Sequence, residues 1–579
     1  MQPSADYSTL IDALLAASPE RPFITSCNDD DIDEVTFGQF VRLAKVQALE
    51  FHERGLRSGD RVILILPQGV SLMAAFAGVM MLGAVPAILA YPNFKVNPAK
   101  FAAGLTGVTR NLQARLVVVD DEFPSELVDH IIMADDARLV RMAAASLSSA
   151  EPSLPRFTFD PHGLAFIQHS AGTTGLQKGV ALSHVAVLTQ LRHLAAALKI
   201  TDQDRLYSWL PLYHDMGLIA CFMLPVVFHL PIVMQSPVQW VMRPGTMLQL
   251  ISEFRCSMAW LPNFAFQLLA RRVRAEDRVD YDLSSLRALI NCSEPVRAQS
   301  IDEFVCAYQS CKLPPDVVKT SYAMAENVFA ITQSPIDHPP RRLWVSGPEL
   351  WNDHRIVPVT DHTDKSICFV SSGRCLDGNQ VRVVAADRVA LPEDSVGEIM
   401  IQSDSLFAGY FNRPDVTAQT FQNGWYGSGD LGFVHEGELY VIGRKKDLII
   451  VAGKNIYPQD IEEIVCNHPA IHDGRAVAFG IYNQDLGTED ILVVAEVEKE
   501  ELLNDSVEIE RVLRNAIAAE IDITARGIYL KPPRWVVKST AGKPARSTTR
   551  EKLLAEHPEL KRDETHGERA NEPTSPAAD

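Results

Sequence analysis

Short apolar runs at Val62–Leu66, Leu116–Val119, Leu164–Ile167 and Met258–Leu261 punctuate the first half of the chain, and amphipathic stretches such as Phe37–Glu53 and Val185–Leu198 lie between them. Runs of this length, rich in β-branched residues, read as buried strands, and the longer stretches read as helices laid against them. Their alternation predicts layered α/β subdomains with largely parallel strands. After about Val370 the texture changes to short strand and turn signals at 381–384, 397–401 and 437–441, which predicts a small β-rich subdomain. Arg444-Lys-Lys-Asp447 follows, then an apolar run at 448–451 and a helical pattern at 459–466. The expected organisation is a large N-terminal α/β domain (1–442), a hinge (443–447) and a small mobile α+β C-terminal domain (448–560). The polar segment 561–579 lacks the apolar residues that a packed fold requires.

Two stretches approach membrane-spanning length: 70–90 has no charged residue, and 217–234 has no Asp, Glu, Lys or Arg. Gly83 and Pro86 interrupt the first, and Pro225 and Pro231 the second, so each is expected to be a buried helix running into a buried strand. Residues 1–6 lack the features of a signal peptide, and a cytoplasmic protein is expected. A net charge of −19 argues against nucleic acid as a partner. The nine cysteines form no Cys-x-x-Cys pair, so buried free thiols are expected rather than zinc ligands or disulfides.

The candidate chemistry begins directly after the run Leu164–Ile167, at Ser170-Ala-Gly-Thr-Thr-Gly-Leu-Gln-Lys178-Gly179. Glycines let backbone N–H groups close on an anion, Thr173 and Thr174 add hydroxyl donors, and Lys178 adds a mobile charge. A nucleoside triphosphate is the natural guest. The spacing is not that of a Walker loop, in which Gly-Lys is followed at once by Ser or Thr.

Further segments follow in order: Leu210-Pro-Leu-Tyr-His214-Asp-Met-Gly-Leu-Ile219, Asn291-Cys-Ser293-Glu294-Pro, Ser321-Tyr322-Ala-Met-Ala-Glu326, Gly424-Trp-Tyr-Gly-Ser-Gly-Asp430, Gly443-Arg444-Lys-Lys446-Asp, and Ser539-Thr-Ala-Gly-Lys543. With the opening loop, this series resembles the adenylate-forming superfamily of acyl-CoA synthetases, peptide-synthetase adenylation domains and luciferase. The resemblance implies that Ser170, Thr173, Thr174 and Lys178 hold the phosphates of ATP. It also implies that Glu326 with Thr174 ligates Mg2+, and that Asp430 with Arg444 binds the ribose. Asn291, Ser293, Glu294 and Tyr322 are then expected to frame the adenine, with Tyr322 stacking on it. Lys543 becomes the catalytic lysine and Lys446 the hinge, while His214 is either a lining residue of the acyl channel or a satisfied histidine in a buried turn.

Within the superfamily the chain looks most like the fatty acyl-AMP ligases, through residues 210–219, Leu261-Pro-Asn-Phe-Ala-Phe-Gln-Leu268 and Pro458-Gln-Asp-Ile-Glu462. A long segment between Glu326 and Ser371 resembles that branch's insertion, at about 335–369, and carries the apolar piece Leu343–Val345 and the β-like Ile356–Val359. In that branch the insertion packs on the large domain. The resemblance implies activation of a fatty or similar apolar acid as acyl-AMP, with transfer to the phosphopantetheine thiol of an acyl carrier protein. CoA is the alternative acceptor, as in an acyl-CoA synthetase. Ile456 stands where many acyl-AMP ligases carry histidine, which leaves the acceptor open.

Overall fold

A computed structural model of the chain describes residues 6–28, 31–92, 98–133, 137–142, 154, 159–169, 178–278, 280–360, 363, 365–451, 454–483, 488–521, 523–538 and 543–563. A nine-stranded sheet runs from Arg374–Cys375 through Ala330–Gln333, Val318–Ala323, Ala288–Cys292, Met258–Leu261, Leu206–Ser208, Ile232–Gln235 and Pro22–Asn28 to Asp31–Thr36. The strands from Val318–Ala323 to Pro22–Asn28 are mutually parallel, and antiparallel strands flank them. A second sheet, Val85–Ile88, Arg61–Ile65, Leu116–Val119 and Arg138–Arg141, is wholly parallel. Strands of this kind are covered on both faces, which explains their unbroken apolar runs.

The parallel expectation fails at one important place. Leu164–His169 pairs antiparallel with Gly179–Ser183, which pairs with Gly409–Tyr410, so the glycine-rich segment joins two strands of a hairpin. Both charge-free stretches are helix followed by strand, Val70–Met81 with Val85–Ile88, and Met216–Phe228 with Ile232–Gln235. No helix among the described residues is long and apolar enough to cross a membrane. Met216–Met223 takes a π-helical path. Only glycine fits at 217, because a Cβ there would lie 2.2 Å from the Pro211 carbonyl oxygen.

Asn379–Val384, Gly397–Ser403, Trp425–His435, Phe421–Gln422 and Glu438–Arg444 form the antiparallel β-rich subdomain. In the small domain, Ile471–Asn483, Thr488–Val497 and Gly527–Lys531 make a three-stranded sheet. Alternation sorts its two faces: Val477, Phe479, Leu492 and Val494 pack on Leu553 and Leu554, whereas Ala478, Ile491, Val493 and Ala495 pack on Ile461, Leu513 and Ile517. Of the nine cysteines, all free, Cys27, Cys221, Cys256, Cys292 and Cys311 are buried, but Cys306 and Cys375 are exposed.

The segment resembling an insertion forms the hairpin Arg342–Ser346 with Ser366–Val370 and the helix Gly347–Asp353 between them. Ile356–Val359 is not a strand. It makes only single bridges nearby, Val345 with Pro358 and Arg355 with Ser395, because Pro358 lacks the N–H that a ladder requires. Val345, Leu350, Trp351 and Ile356 join one core with Phe433 and Tyr440 of the β-rich subdomain and Ile449, Ile456 and Tyr457 of the small domain. This segment therefore packs on both domains, and Ile456 is buried at 1% exposure rather than offered to an incoming group.

Candidate active site

The large and small domains enclose a cleft of about 2860 Å3. Lys178, His214, Ser293, Glu294, Tyr322, Glu326, Asp430, Arg444, Lys446 and Lys543 all line it. Ser170, Thr173 and Thr174 lie outside the described residues. Asn291 is fully buried behind the wall: its Nδ2 donates to Asn263 Oδ1 at 2.9 Å, an oxygen that also accepts from the Arg297 N–H at 3.1 Å. In this position it orients the start of the helix Asn263–Arg272. Glu294 serves the same helix, its Oε2 accepting from the Phe264 N–H at 3.0 Å, where a carboxylate meets the positive end of the helix dipole.

The other residues meet across the cleft. Tyr322 ends a parallel strand of the central sheet, and its hydroxyl donates to Asp430 Oδ2 at 2.6 Å. Arg444, paired across the hairpin with Asp430, brings its Nε to 3.5 Å from Oδ1. Burial raises the Asp430 pKa, while Arg444 and the Tyr322 hydroxyl oppose that rise. Glu326 sits in a single 3-10 turn, and its Oε1 accepts from the Tyr410 hydroxyl at 2.7 Å. Tyr410 lies 3.1 Å from the Tyr426 hydroxyl, and its ring carries the Lys178 ammonium 4.7 Å from its centroid. Lys543 Nζ donates to the backbone carbonyl of Ser293, a residue whose positive φ of 71° turns that carbonyl.

His214 Nε2 is buried without a partner, and burial pushes its pKa down to about 4, with the Lys543 charge acting in the same direction. The ring is therefore neutral at neutral pH. Its neighbour Asp215 was not singled out from the sequence. Burial pushes its carboxyl up to about 6, against the Met216 N–H that donates to it at 2.8 Å. Its position in the same quoted segment as His214 was the available signal. Tyr410, the tyrosine that couples Lys178 to Glu326, carried none, because it is remote in sequence from every motif.

The apolar end of the cleft includes Met216, Trp209, Trp240 and Phe264. Trp209 and Trp240 stack with ring centroids 3.6 Å apart and planes 2° from parallel, and Phe264 meets both edge-on.

The AMP-binding enzyme family matches residues 12–411. The chain belongs to that family. It is an adenylate-forming ligase, and the likeness to fatty acyl-AMP ligases extends to its relatives. It is 28% identical over 570 residues to the medium-chain-fatty-acid–[acyl-carrier-protein] ligase JamA of Moorena producens, covering 95% of each chain. It is 30% identical over 576 residues to 4-hydroxyphenylalkanoate adenylyltransferase of Mycobacterium marinum, covering 94% of this chain and 91% of that one. A solved structure from work on fatty acyl-adenylate ligases of E. coli and L. pneumophila superposes with a TM-score of 0.87 at 28% identity, covering 96% of this chain and 99% of that one.

Proposed function

We propose that this AMP-binding enzyme activates a fatty acid, or a similar apolar acid, as acyl-AMP and passes the acyl group to the phosphopantetheine thiol of a carrier protein. The observation that carries this reading is Lys543, which reaches from the small domain into the wall of a cleft that also presents Lys178, Glu326 and Asp430. In the first step a carboxylate oxygen attacks the α-phosphorus of ATP, a new P–O bond forms, and pyrophosphate leaves. Two anions must meet, so charge neutralisation and in-line placement supply the rate. Lys543 bridges the attacking carboxylate and the phosphoryl oxygens, Lys178 holds the departing phosphates, and Asp430 accepts from the ribose hydroxyls.

Glu326 suits Mg2+, because among the described residues Tyr410 occupies only Oε1 and Oε2 has no hydrogen-bond donor. Thr174 is the second ligand in this reading. The ion supplies charge neutralisation on the phosphates when bound.

The stacked Trp209 and Trp240 favour a second reading of the acid, an arylalkanoate, since flat faces accept rings as readily as methylene chains. The test is mass spectrometry of the products formed from ATP, Mg2+, CoA or a holo-carrier protein, and a mixture of alkanoic and arylalkanoic acids. Accumulated acyl-AMP with little acyl-CoA is expected. Acyl-CoA formed as fast as adenylate would replace the carrier protein with CoA, and absence of any adenylate would refute the reading.

A further inference from the structure

Tyr410 stands between Lys178 and Glu326, and its backbone segment ties together the elements that carry them. Gly409 and Tyr410 pair antiparallel with Ala181 and Val180, just after Lys178 and Gly179. Two further bonds extend that pairing: the Ala408 N–H donates to the Ala181 carbonyl at 3.0 Å, and the Phe411 N–H to the Gly179 carbonyl at 2.8 Å. From the other end of the same segment, the Phe407 N–H donates to the Glu326 carbonyl at 2.8 Å. Residues 407–411 therefore clamp the strand that leaves the glycine-rich segment to the turn that carries Glu326.

The Tyr410 side chain repeats this link inside the cleft. Its ring lies under the Lys178 ammonium, 4.7 Å from the centroid, and its hydroxyl donates to Glu326 Oε1 at 2.7 Å. A phenol has one proton to give, so in the 3.1 Å contact between the two hydroxyls it is Tyr426 that donates to Tyr410. Burial, and next the Glu326 charge, push the Tyr410 pKa far up, so the hydroxyl keeps its proton at neutral pH. The side chain is 5% exposed and meets Phe407 edge-on with centroids 4.9 Å apart, which fixes the ring. All of these residues belong to the large domain, so a turn of the small domain leaves their contacts as they are.

We propose that Tyr410 is a positioning residue for adenylation, whose ring seats Lys178 for the phosphates of ATP and whose hydroxyl fixes the Glu326 carboxylate as a ligand for Mg2+. This rests on the ATP and Mg2+ reading above. A carboxylate that turns freely loses that freedom when it takes a metal, whereas one already held by a donor has little left to lose. The donor is neutral, so the carboxylate keeps its full charge for the ion; a lysine in the same place would cancel it. The aromatic face is likewise uncharged, and it holds the ammonium through the ring quadrupole without neutralising it. The two roles reside in different atoms of one side chain and are separable by substitution.

The test is calorimetric binding of an ATP analogue with a methylene group between the α- and β-phosphorus atoms, which cannot release pyrophosphate. It is titrated into the wild-type, Tyr410→Phe and Tyr410→Leu chains, each with and without Mg2+. Tyr410→Phe keeps the ring, and is expected to bind the metal-free analogue within about twofold of wild type while losing roughly tenfold of the affinity that Mg2+ adds. Tyr410→Leu is expected to lose that same factor and also to bind the metal-free analogue roughly fivefold more weakly. A merely structural tyrosine would weaken metal-free binding in Tyr410→Phe as well. That result, or a full Mg2+ gain in Tyr410→Phe, overturns the proposal, and identical binding by the two variants overturns the role of the ring. Failure of the acyl-AMP reading shows separately, as a wild-type chain that binds the analogue but releases no pyrophosphate from ATP with any acid.

Discussion

Asp447 Oδ2 lies 2.5 Å from Arg546 Nη1, which ties the end of the interdomain link to the small domain. Arg546 also grips Glu462 at 2.7 Å, so the anchor is a half-buried cluster of three charges rather than a single surface pair. Two residues before Asp447, Lys445 Nζ reaches Glu398 of the large domain at 2.8 Å. Lys446 lies between these two pairs, and we propose that the small domain swivels about it. Lys446→Pro is expected to leave pyrophosphate release within about threefold of wild type and to slow acyl transfer to a thiol by at least roughly tenfold, because proline removes a backbone torsion from the moving joint. Single-turnover measurement of the two half-reactions checks this, and equal slowing of both would refute it.

Among the described residues, the Tyr322 hydroxyl at 2.6 Å is a closer donor to Asp430 than Arg444 at 3.5 Å. Tyr322→Phe removes a hydrogen bond to a buried carboxylate, worth about 1.5–3 kcal/mol, and is expected to raise the KM for ATP roughly tenfold. The loss grows as pH falls. Asp430 already has a raised pKa, and without the donor its charged form is disfavoured further, so it protonates at a higher pH. A pH series of KM in wild type and variant tests both statements.

Burial pushes His169, His184 and His214 each down to about 4. Each is neutral in the folded chain, whereas in the unfolded chain it titrates near 6.5. Between those values the unfolded state binds more protons, so stability is greatest above pH 6.5 and falls as pH drops toward 4. His184 Nδ1 accepts from the Leu10 N–H at 3.3 Å, which protonation would break. His184→Gln is expected to flatten the decline by up to about 1.4 kcal/mol per pH unit. Urea unfolding from pH 4 to 7 measures it, and an unchanged slope would show that His184 does not contribute.

Trp240 is fully buried and stacked on Trp209 at the apolar end of the cleft. Trp240→Leu opens space there and is expected to shift the preferred acid toward longer or bulkier chains, by about tenfold in the kcat/KM ratio between two acids, within the range that a few methylene groups supply. Competition between acids of graded length, read by mass spectrometry of the acyl-AMPs, decides it.

Much of the fold was legible in the chain. Parallel strands such as Leu116–Val119 and Met258–Leu261 have the bounds that their apolar runs imply, since burial on both faces leaves no polar position to blur them. The hairpin following Leu164 was not legible, because one buried strand has the same composition whichever way its neighbour runs. Of the site, Tyr322 and Glu326 from one motif come together on one cleft with Asp430 and Lys543 from two others. Tyr410 and Asp215 escaped notice, because their significance lies in which residues they face. Spacing along the chain carries no record of that.

The segment from Arg342 to Val370 shares its core with the small domain, and this sets a limit on dissecting the enzyme. A fragment ending at the interdomain link would strip Ile449, Ile456 and Tyr457 from Val345, Leu350 and Trp351, leaving an oily face open to water. Such a fragment would stick to itself unless its own hairpin were pared away with the partner it has lost.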